Sequence, residues 1–178
     1  MKNSYSFLQT IFVLIASIFL LETNSVNAAE KVVFNYKIFS QSLPVEELTQ
    51  LTETGEVSPT LKYYLNKTNQ DPQAVRDVLN KEVNISTTTL DRTLNSKIGE
   101  FLLDQISQTI HTSSGRANNK ALRSAIVLSS SEDNQVSLME IIQNYPTNEV
   151  YVEADNLERT YNQLSILTEG LQGWLGIL

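Results

Sequence analysis

No cysteine occurs in this sequence of 178 residues, so the chain forms no disulfide and carries no lipid-modified cysteine of the bacterial lipoprotein type. It has one histidine, His111, which leaves no second histidine for a zinc site and no obvious partner for a proton shuttle. No carboxylate run has the spacing of a calcium loop. The sequence therefore predicts no catalytic residue, no metal site and no cofactor.

Positive charge is also scarce. The chain has 13 lysines and arginines against 20 acidic residues, which gives a formal net charge of −7. A surface of this sign repels the phosphates of nucleic acids and the head groups of anionic membranes. We therefore expect no nucleic-acid partner.

The first 28 residues have the pattern of a secretory signal peptide. Lys2 provides a positive start, residues 7–21 are mostly apolar, and Val26 and Ala28 are small residues of the kind a signal peptidase recognises. The alternative is an uncleaved membrane anchor, but a spanning helix needs about 20 apolar residues, and this core is shorter. We expect cleavage after Ala28 and export to the periplasm or the extracellular space.

Residues 29–178 are predicted to form a single, mainly helical domain of about eight short helices with a small two-stranded β element. Ser58-Pro59 and Asp71-Pro72 each pair an N-cap side chain with proline at the first helical position. Ser137 has the spacing of a capping box with the glutamate three residues later. Residues 31–39 and 149–153 are rich in strand-forming residues, and we expect them to pair.

Two groups of apolar side chains are expected to lie in the core. A long amphipathic helix predicted for residues 97–110 has apolar residues at helical spacing: Ile98, Phe101, Leu102, Ile106 and Ile110. A shorter helix has a cluster of Leu61, Tyr63, Tyr64 and Leu65. Tyrosines at that spacing usually pack in the core with the hydroxyl at its edge.

The segment after the long helix is a candidate ligand site. Backbone N–H groups and hydroxyls before a helix that begins near residues 117–120 would face a small anion. The residues of this candidate anion loop are Ser113, Ser114, Gly115, Arg116 and Lys120, with Arg123 adding charge. The alternative is that Ser114 or Asn118 caps the helix while the cations lie in solvent. His111 is expected to interact with the last carbonyls of the preceding helix.

The C-terminal segment combines an apolar stripe with glycines. Residues at helical spacing from Leu157 to Leu178 form one apolar face, but Gly170, Gly173 and Gly176 each weaken a helix by about 1 kcal/mol. The segment either folds back on the core or contacts a partner or a membrane. The candidate interaction tail consists of Trp174, Leu175, Ile177 and Leu178.

Several short motifs, in order along the chain, carry a family resemblance. They are residues 42–48 (SLPVEEL), 54–59 (TGEVSP), 113–116 (SSGR) and 121–123 (ALR). Together they resemble the start of a cyanobacterial family of unknown function whose members are commonly labelled alpha/beta hydrolases. The similarity extends over residues 29–164. In many members a helical, exported region of this kind precedes a hydrolase domain, so the resemblance implies an accessory region.

The hydrolase machinery itself is missing from the sequence. A hydrolase core takes about 200 further residues of alternating strands and helices, and its serine lies in a G-x-S-x-G turn that does not occur here. We therefore predict a non-enzymatic exported binding or regulatory domain, with a hydrolase-type or other exported protein as its partner. Two alternatives stay open: a hydrolase-type enzyme or remnant that uses residues 113–116 with His111, and a small-ligand or lipid carrier with a pocket between short helices.

Overall fold

The computed structural model describes residues 28–156, and a mixed four-stranded sheet lies at its centre. The strands are β1 (Lys31–Tyr36), β2 (Phe39–Pro44), β4 (Ile110–Thr112) and β6 (Glu149–Glu153), in the order β2-β1-β6-β4. Strands β1 and β2 form an antiparallel hairpin, whereas β6 runs parallel to β1 and antiparallel to β4. A short antiparallel ribbon joins β3 (Val83–Asn84) to β5 (Gln135–Val136).

The described part of the chain also contains seven α-helices. They are α1 (Val45–Thr54), α2 (Pro59–Thr68), α3 (Pro72–Leu79), α4 (Thr87–Leu94), α5 (Lys97–Ile106), α6 (Asn118–Ser129) and α7 (Leu138–Gln143), and a 3₁₀ turn, Ala154–Asn156, follows β6. None of the helices between residues 28 and 156 is long and apolar enough to cross a membrane.

The prediction of a mainly helical domain with a small two-stranded element is wrong. The described residues are 52% helical and 19% strand, which makes a mixed α/β fold. The expected pairing of residues 31–39 with 149–153 is confirmed as β1 with β6. Strands β2 and β4 were missed because β2 is a largely polar edge strand and β4 has only three residues, so neither has a clear local pattern.

Capping residues located the starts of α2, α3 and α7 correctly. Ser58, Asp71 and Ser86 each accept a hydrogen bond from a backbone N–H in the first turn of α2, α3 and α4. The capping box between Ser137 and Glu140 is present at the start of α7. These signals act within one helical turn, so they can be predicted from the sequence without knowledge of the tertiary structure.

The core lies between one face of the sheet and the helices. Val32, Val150 and Val152 are fully buried on that face, and Leu122 and Ile126 of α6 belong to the same cluster. Side chains alternate along a strand, so residues between these valines lie on the opposite face. That second face carries polar side chains, among them Asn35, His111 and Glu153.

Helix α5 is rotated relative to the prediction. Ile98 and Phe101 are 65% and 62% exposed, whereas Leu103 and Ile106 are buried. Gly99 explains the rotation, because it lies so close to α4 that a Cβ there would overlap the backbone of Thr93 and Leu94. The helix ends at Ile106, and the following apolar residues belong to β4 instead.

Candidate functional site

An apolar pocket of about 290 Å³ opens between the β1–β2 hairpin and helices α2 and α3. The hairpin contributes Phe34 and Leu43 to its walls, and α2 contributes Leu61 and Leu65. Val75 of α3 closes one side. The pocket exists because α2 follows the loop after α1 and lies alongside the hairpin without filling the space between them.

Burial divides the pocket into a floor and a mouth. Leu43, Leu61 and Leu65 are buried, which makes the floor of the pocket apolar. Phe39, in the hairpin, is 49% exposed, and Tyr63 on α2 is 56% exposed, so aromatic rings stand at the mouth. A pocket with a buried aliphatic floor and an aromatic rim is suited to an apolar ligand.

Polar groups lie among the lining residues of the α2 end. Thr68 is already satisfied, because its hydroxyl donates to the carbonyl oxygens of Tyr64 at 2.9 Å and Leu65 at 3.2 Å. Lys67 also lines the pocket, and its Nζ lies 5.5 Å from the centroid of the Tyr63 ring. The ammonium group therefore stands beside the aromatic rim, within the range of a cation–π contact.

The cluster of Leu61, Tyr63, Tyr64 and Leu65 was predicted as core, and the structure divides it. The two leucines are buried, whereas Tyr64 is half-buried and Tyr63 is exposed. All four residues line the pocket. The sequence signals that belonged to this pocket were the tyrosine pair and the aromatic residues of the hairpin, but no local pattern showed that the two groups face each other.

His111 lies in β4 and not beside the end of a helix. Its Nε2 lies 3.2 Å from Oε1 of Glu153, and its Nδ1 lies 3.0 Å from the carbonyl oxygen of Thr112. The ring stacks on Tyr151, with 5.6 Å between centroids. Glu153 also accepts a hydrogen bond of 2.7 Å from Nδ2 of Asn35, so a polar cluster spans three strands.

This cluster lacks the parts of a hydrolytic site. Both ring nitrogens of His111 face oxygen acceptors, and within residues 28–156 no hydroxyl forms a hydrogen bond with the ring. A histidine activates a serine only when the hydroxyl lies within hydrogen-bonding reach. The same part of the chain holds no group of three or more metal-ligating side chains.

The candidate anion loop is held mainly by hydrogen bonds to Thr112 of β4. The N–H of Gly115 donates to the carbonyl of Thr112 at 3.1 Å, and the N–H of Arg116 donates to Oγ of Ser114 at 3.3 Å. Ser113 and Lys120 are exposed. Two of the loop amides therefore already donate, that of Gly115 to β4 and that of Arg116 within the loop, and anion binding stays a prediction.

Neither expected cap is found at the start of α6. The N-cap residue is Ala117, with φ 54° and no side-chain cap, while Oδ1 of Asn118 accepts from the N–H and the hydroxyl of Thr112. Arg123 points away from the loop, since its Nε donates to the carbonyl of Leu94 at 3.1 Å. The helix start is thus fixed by a bridge to β4, which sequence spacing did not suggest.

Two predicted features lie outside the described residues. They are the signal peptide, apart from Ala28, and the interaction tail of Trp174, Leu175, Ile177 and Leu178. Both stay predictions from the sequence.

Residues 28–153 match the family model described as alpha/beta hydrolase of unknown function (DUF1400). The chain belongs to this family. The resemblance carried by the motifs at residues 42–48, 54–59, 113–116 and 121–123 is confirmed to that extent. No curated protein and no solved structure matches the chain. The family description assigns no residue a role.

Proposed function

We propose that this chain is an exported, non-catalytic binding domain that holds a small apolar ligand in the pocket between the β1–β2 hairpin and α2. The observation that carries the proposal is the pocket itself, with its buried floor at Leu43, Leu61 and Leu65. The sequence left open a small-ligand or lipid carrier with a pocket between short helices. The pocket proposed here as the ligand site lies between the hairpin and helices α2 and α3. Ligand binding also fits within the broader prediction of a binding domain.

The size and lining of the pocket support binding over simple packing. Ligand sites typically occupy about 300–1,000 Å³, and an apolar cavity of about 150 Å³ is enough to hold benzene. The volume of about 290 Å³ therefore accommodates a molecule clearly larger than one ring. Each Å² of apolar ligand surface removed from water contributes about 25 cal/mol.

The hydrolase-type alternative has less support. His111 contacts Glu153 and a backbone carbonyl, and its stacking partner is Tyr151. This arrangement orients the ring but supplies no nucleophile. The family label alone does not provide one.

Export and partner choice complete the proposal. Residues 1–28 support export, because they combine a positive start, an apolar core and small residues before Glu30. The accessory position of similar regions supports a hydrolase-type partner, which this domain would regulate or supply with its ligand. Expression of the full chain followed by mass spectrometry of the secreted protein tests export, since retention of residues 1–28 would contradict it.

The pocket is tested with a naphthylamine dye whose fluorescence rises in apolar surroundings. Phe39→Ser removes an aromatic ring from the mouth and is expected to reduce dye binding at least about fivefold. Phe101→Ser is the matched control, because Phe101 is also a partly exposed phenylalanine but lies on α5, away from the pocket. Equal losses in both variants would show that the dye adheres to the surface, and would contradict the proposal.

A further inference from the structure

We infer that the ligand is a single-chain anionic amphiphile whose acid group binds Lys67 at the mouth of the pocket. This inference rests on the proposed function, because it requires the pocket to be a ligand site. It adds the chemistry of the ligand at both ends: an alkyl chain on the leucine floor and a negative head group at the rim.

The charge of Lys67 is the first observation that supports a negative head group. Among the described residues that line the pocket, it is the one charged side chain. The described part of the chain contains no carboxylate within ion-pairing distance of it, although acidic residues outnumber basic ones in the sequence. Lys67 thus has no carboxylate partner among residues 28–156 and lies at the edge of an apolar pocket, which makes it complementary to an anion that carries an apolar chain.

The position of Lys67 at the mouth of the pocket is the second observation that supports a negative head group there. It follows Tyr63 by four residues on α2, so both side chains lie on the same face of the helix. Its ammonium group, 5.5 Å from the Tyr63 centroid, is held at the rim and not over the floor. A ligand with its head group there would extend its chain toward Leu61 and Leu65, which are buried.

Two further polar side chains are available near this end. Ser40 and Gln70 line the pocket, and in residues 28–156 neither side chain has a hydrogen-bond partner. Thr68 is unavailable, because its hydroxyl donates within α2. An acid group at the rim would therefore have Lys67 as its charged partner, and Ser40 and Gln70 add two neutral polar side chains to the same pocket lining.

The volume limits the ligand to one chain. About 290 Å³ lies at the lower end of the range for ligand pockets, which favours a single alkyl chain over a two-chain lipid. The competing occupant is the chain itself, because Ala154 lines the pocket and the apolar residues from Leu157 onward follow it in the sequence. The charge of Lys67 at the mouth favours the free amphiphile, and the test below distinguishes it from the intramolecular occupant.

The test compares dodecanoate with dodecanol, which has the same chain and a neutral head group. Displacement of the naphthylamine dye from the full exported chain is measured below the aggregation limit of either ligand. We expect dodecanoate to bind at least about tenfold more tightly than dodecanol. Lys67→Gln should remove this difference, and Lys62→Gln should retain it, because Lys62 is an exposed lysine of α2 that does not line the pocket.

The outcomes separate this inference from the proposed function. Equal affinity for the acid and the alcohol, or equal weakening by both lysine substitutions, would overturn the head-group assignment while the pocket remains a ligand site. Failure of both ligands to displace the dye would overturn the proposed function too. Binding that occurs only after deletion of residues 157–178 would identify the chain itself as the occupant and would overturn the inference.

Discussion

The imidazole of His111 links two strands through Glu153, with 3.2 Å between Nε2 and Oε1. The other ring nitrogen faces the carbonyl of Thr112 at 3.0 Å. A neutral imidazole has one N–H and can donate to only one of these two acceptors, whereas a protonated ring donates to both. Glu153 in turn holds Asn35, its partner across the β1–β6 pair. The cluster therefore ties the sheet together on its polar face.

We expect the interaction between His111 and Glu153 to contribute modestly to stability. The side chains are 24% and 33% exposed, so solvent screens the pair, and coupling of at most about 1 kcal/mol is expected. A double-mutant cycle with His111→Ala and Glu153→Ala, followed by urea unfolding, measures it. Glu153→Ala should cost more than His111→Ala, because it also removes the partner of Asn35. A coupling energy of several kcal/mol would contradict this expectation.

Replacing Tyr145 by phenylalanine is expected to stabilise the domain. Tyr145 is fully buried, and its hydroxyl has no hydrogen-bond partner within residues 28–156. A buried donor without a partner is costly, so Tyr145→Phe should raise the free energy of unfolding by about 1 kcal/mol. Tyr63→Phe is the control, because Tyr63 is exposed, and its effect should stay within about 0.5 kcal/mol. A destabilised Tyr145→Phe variant would reveal a hydroxyl partner.

Tyr145 is also expected to make the stability of the domain fall as the pH rises above about 10. Burial raises the pKa of the Tyr145 hydroxyl above its usual value of about 10. Above that pH the unfolded chain releases the proton while the folded chain retains it, so stability falls by up to about 1.4 kcal/mol per pH unit. Comparison of urea unfolding between pH 9 and 11 should show a shallower decline for Tyr145→Phe than for the native protein. Parallel curves would mean that Tyr145 ionises equally in both states.

Two glycines are expected to respond differently to alanine. Helix propensity alone predicts that Gly99→Ala in α5 gains up to about 1 kcal/mol. The new Cβ would overlap the backbone of Thr93 and Leu94, however, so we expect a net loss of about 2 kcal/mol or more. Gly115 has φ +65° and no neighbour within 4 Å of an added Cβ, so Gly115→Ala should cost only about 1 kcal/mol. Thermal unfolding of both variants decides, and a stabilised Gly99→Ala would show that α4 and α5 lie further apart.

Anion binding by residues 113–116 is testable with one substitution. If the loop binds phosphate or sulfate, Arg116→Ala should abolish the heat of binding in calorimetry, because Arg116 carries the charge nearest the loop amides. Arg92→Ala is the control, since Arg92 is exposed on α4, outside this loop. Identical heats for native protein and Arg116→Ala would leave the loop with only its internal hydrogen bonds.

Sequence reasoning succeeded where the determinants are local. Ser58, Asp71 and Ser137 mark helix starts through bonds within one turn, and each was predicted. The strand at residues 149–153 alternates polar and apolar residues in the sequence and half-buried and buried side chains in the structure, so its period of two was predictable. These elements require no knowledge of distant residues.

The missed features depend on distant partners. Strand β2 has a polar middle, and it forms a strand because its backbone pairs with β1, for example at Val33. The pocket likewise arises from the approach of α2 to the hairpin, which places Leu61 and Leu43 in the same pocket wall. No repeat or motif in the sequence indicates this approach. The rotation of α5 follows from one close approach at Gly99. Such relationships are set by tertiary packing, which overrides local preference.

The parallel pairing of β1 with β6 has a consequence for the order in which the chain folds. Lys31 lies opposite Glu149, so the two central strands come from the two ends of the described segment. The middle of the sheet cannot form until residue 153 has been synthesised, and closing so long a loop slows folding. A nascent chain of this design is expected to leave the ribosome without a stable sheet, which is compatible with the export proposed for it.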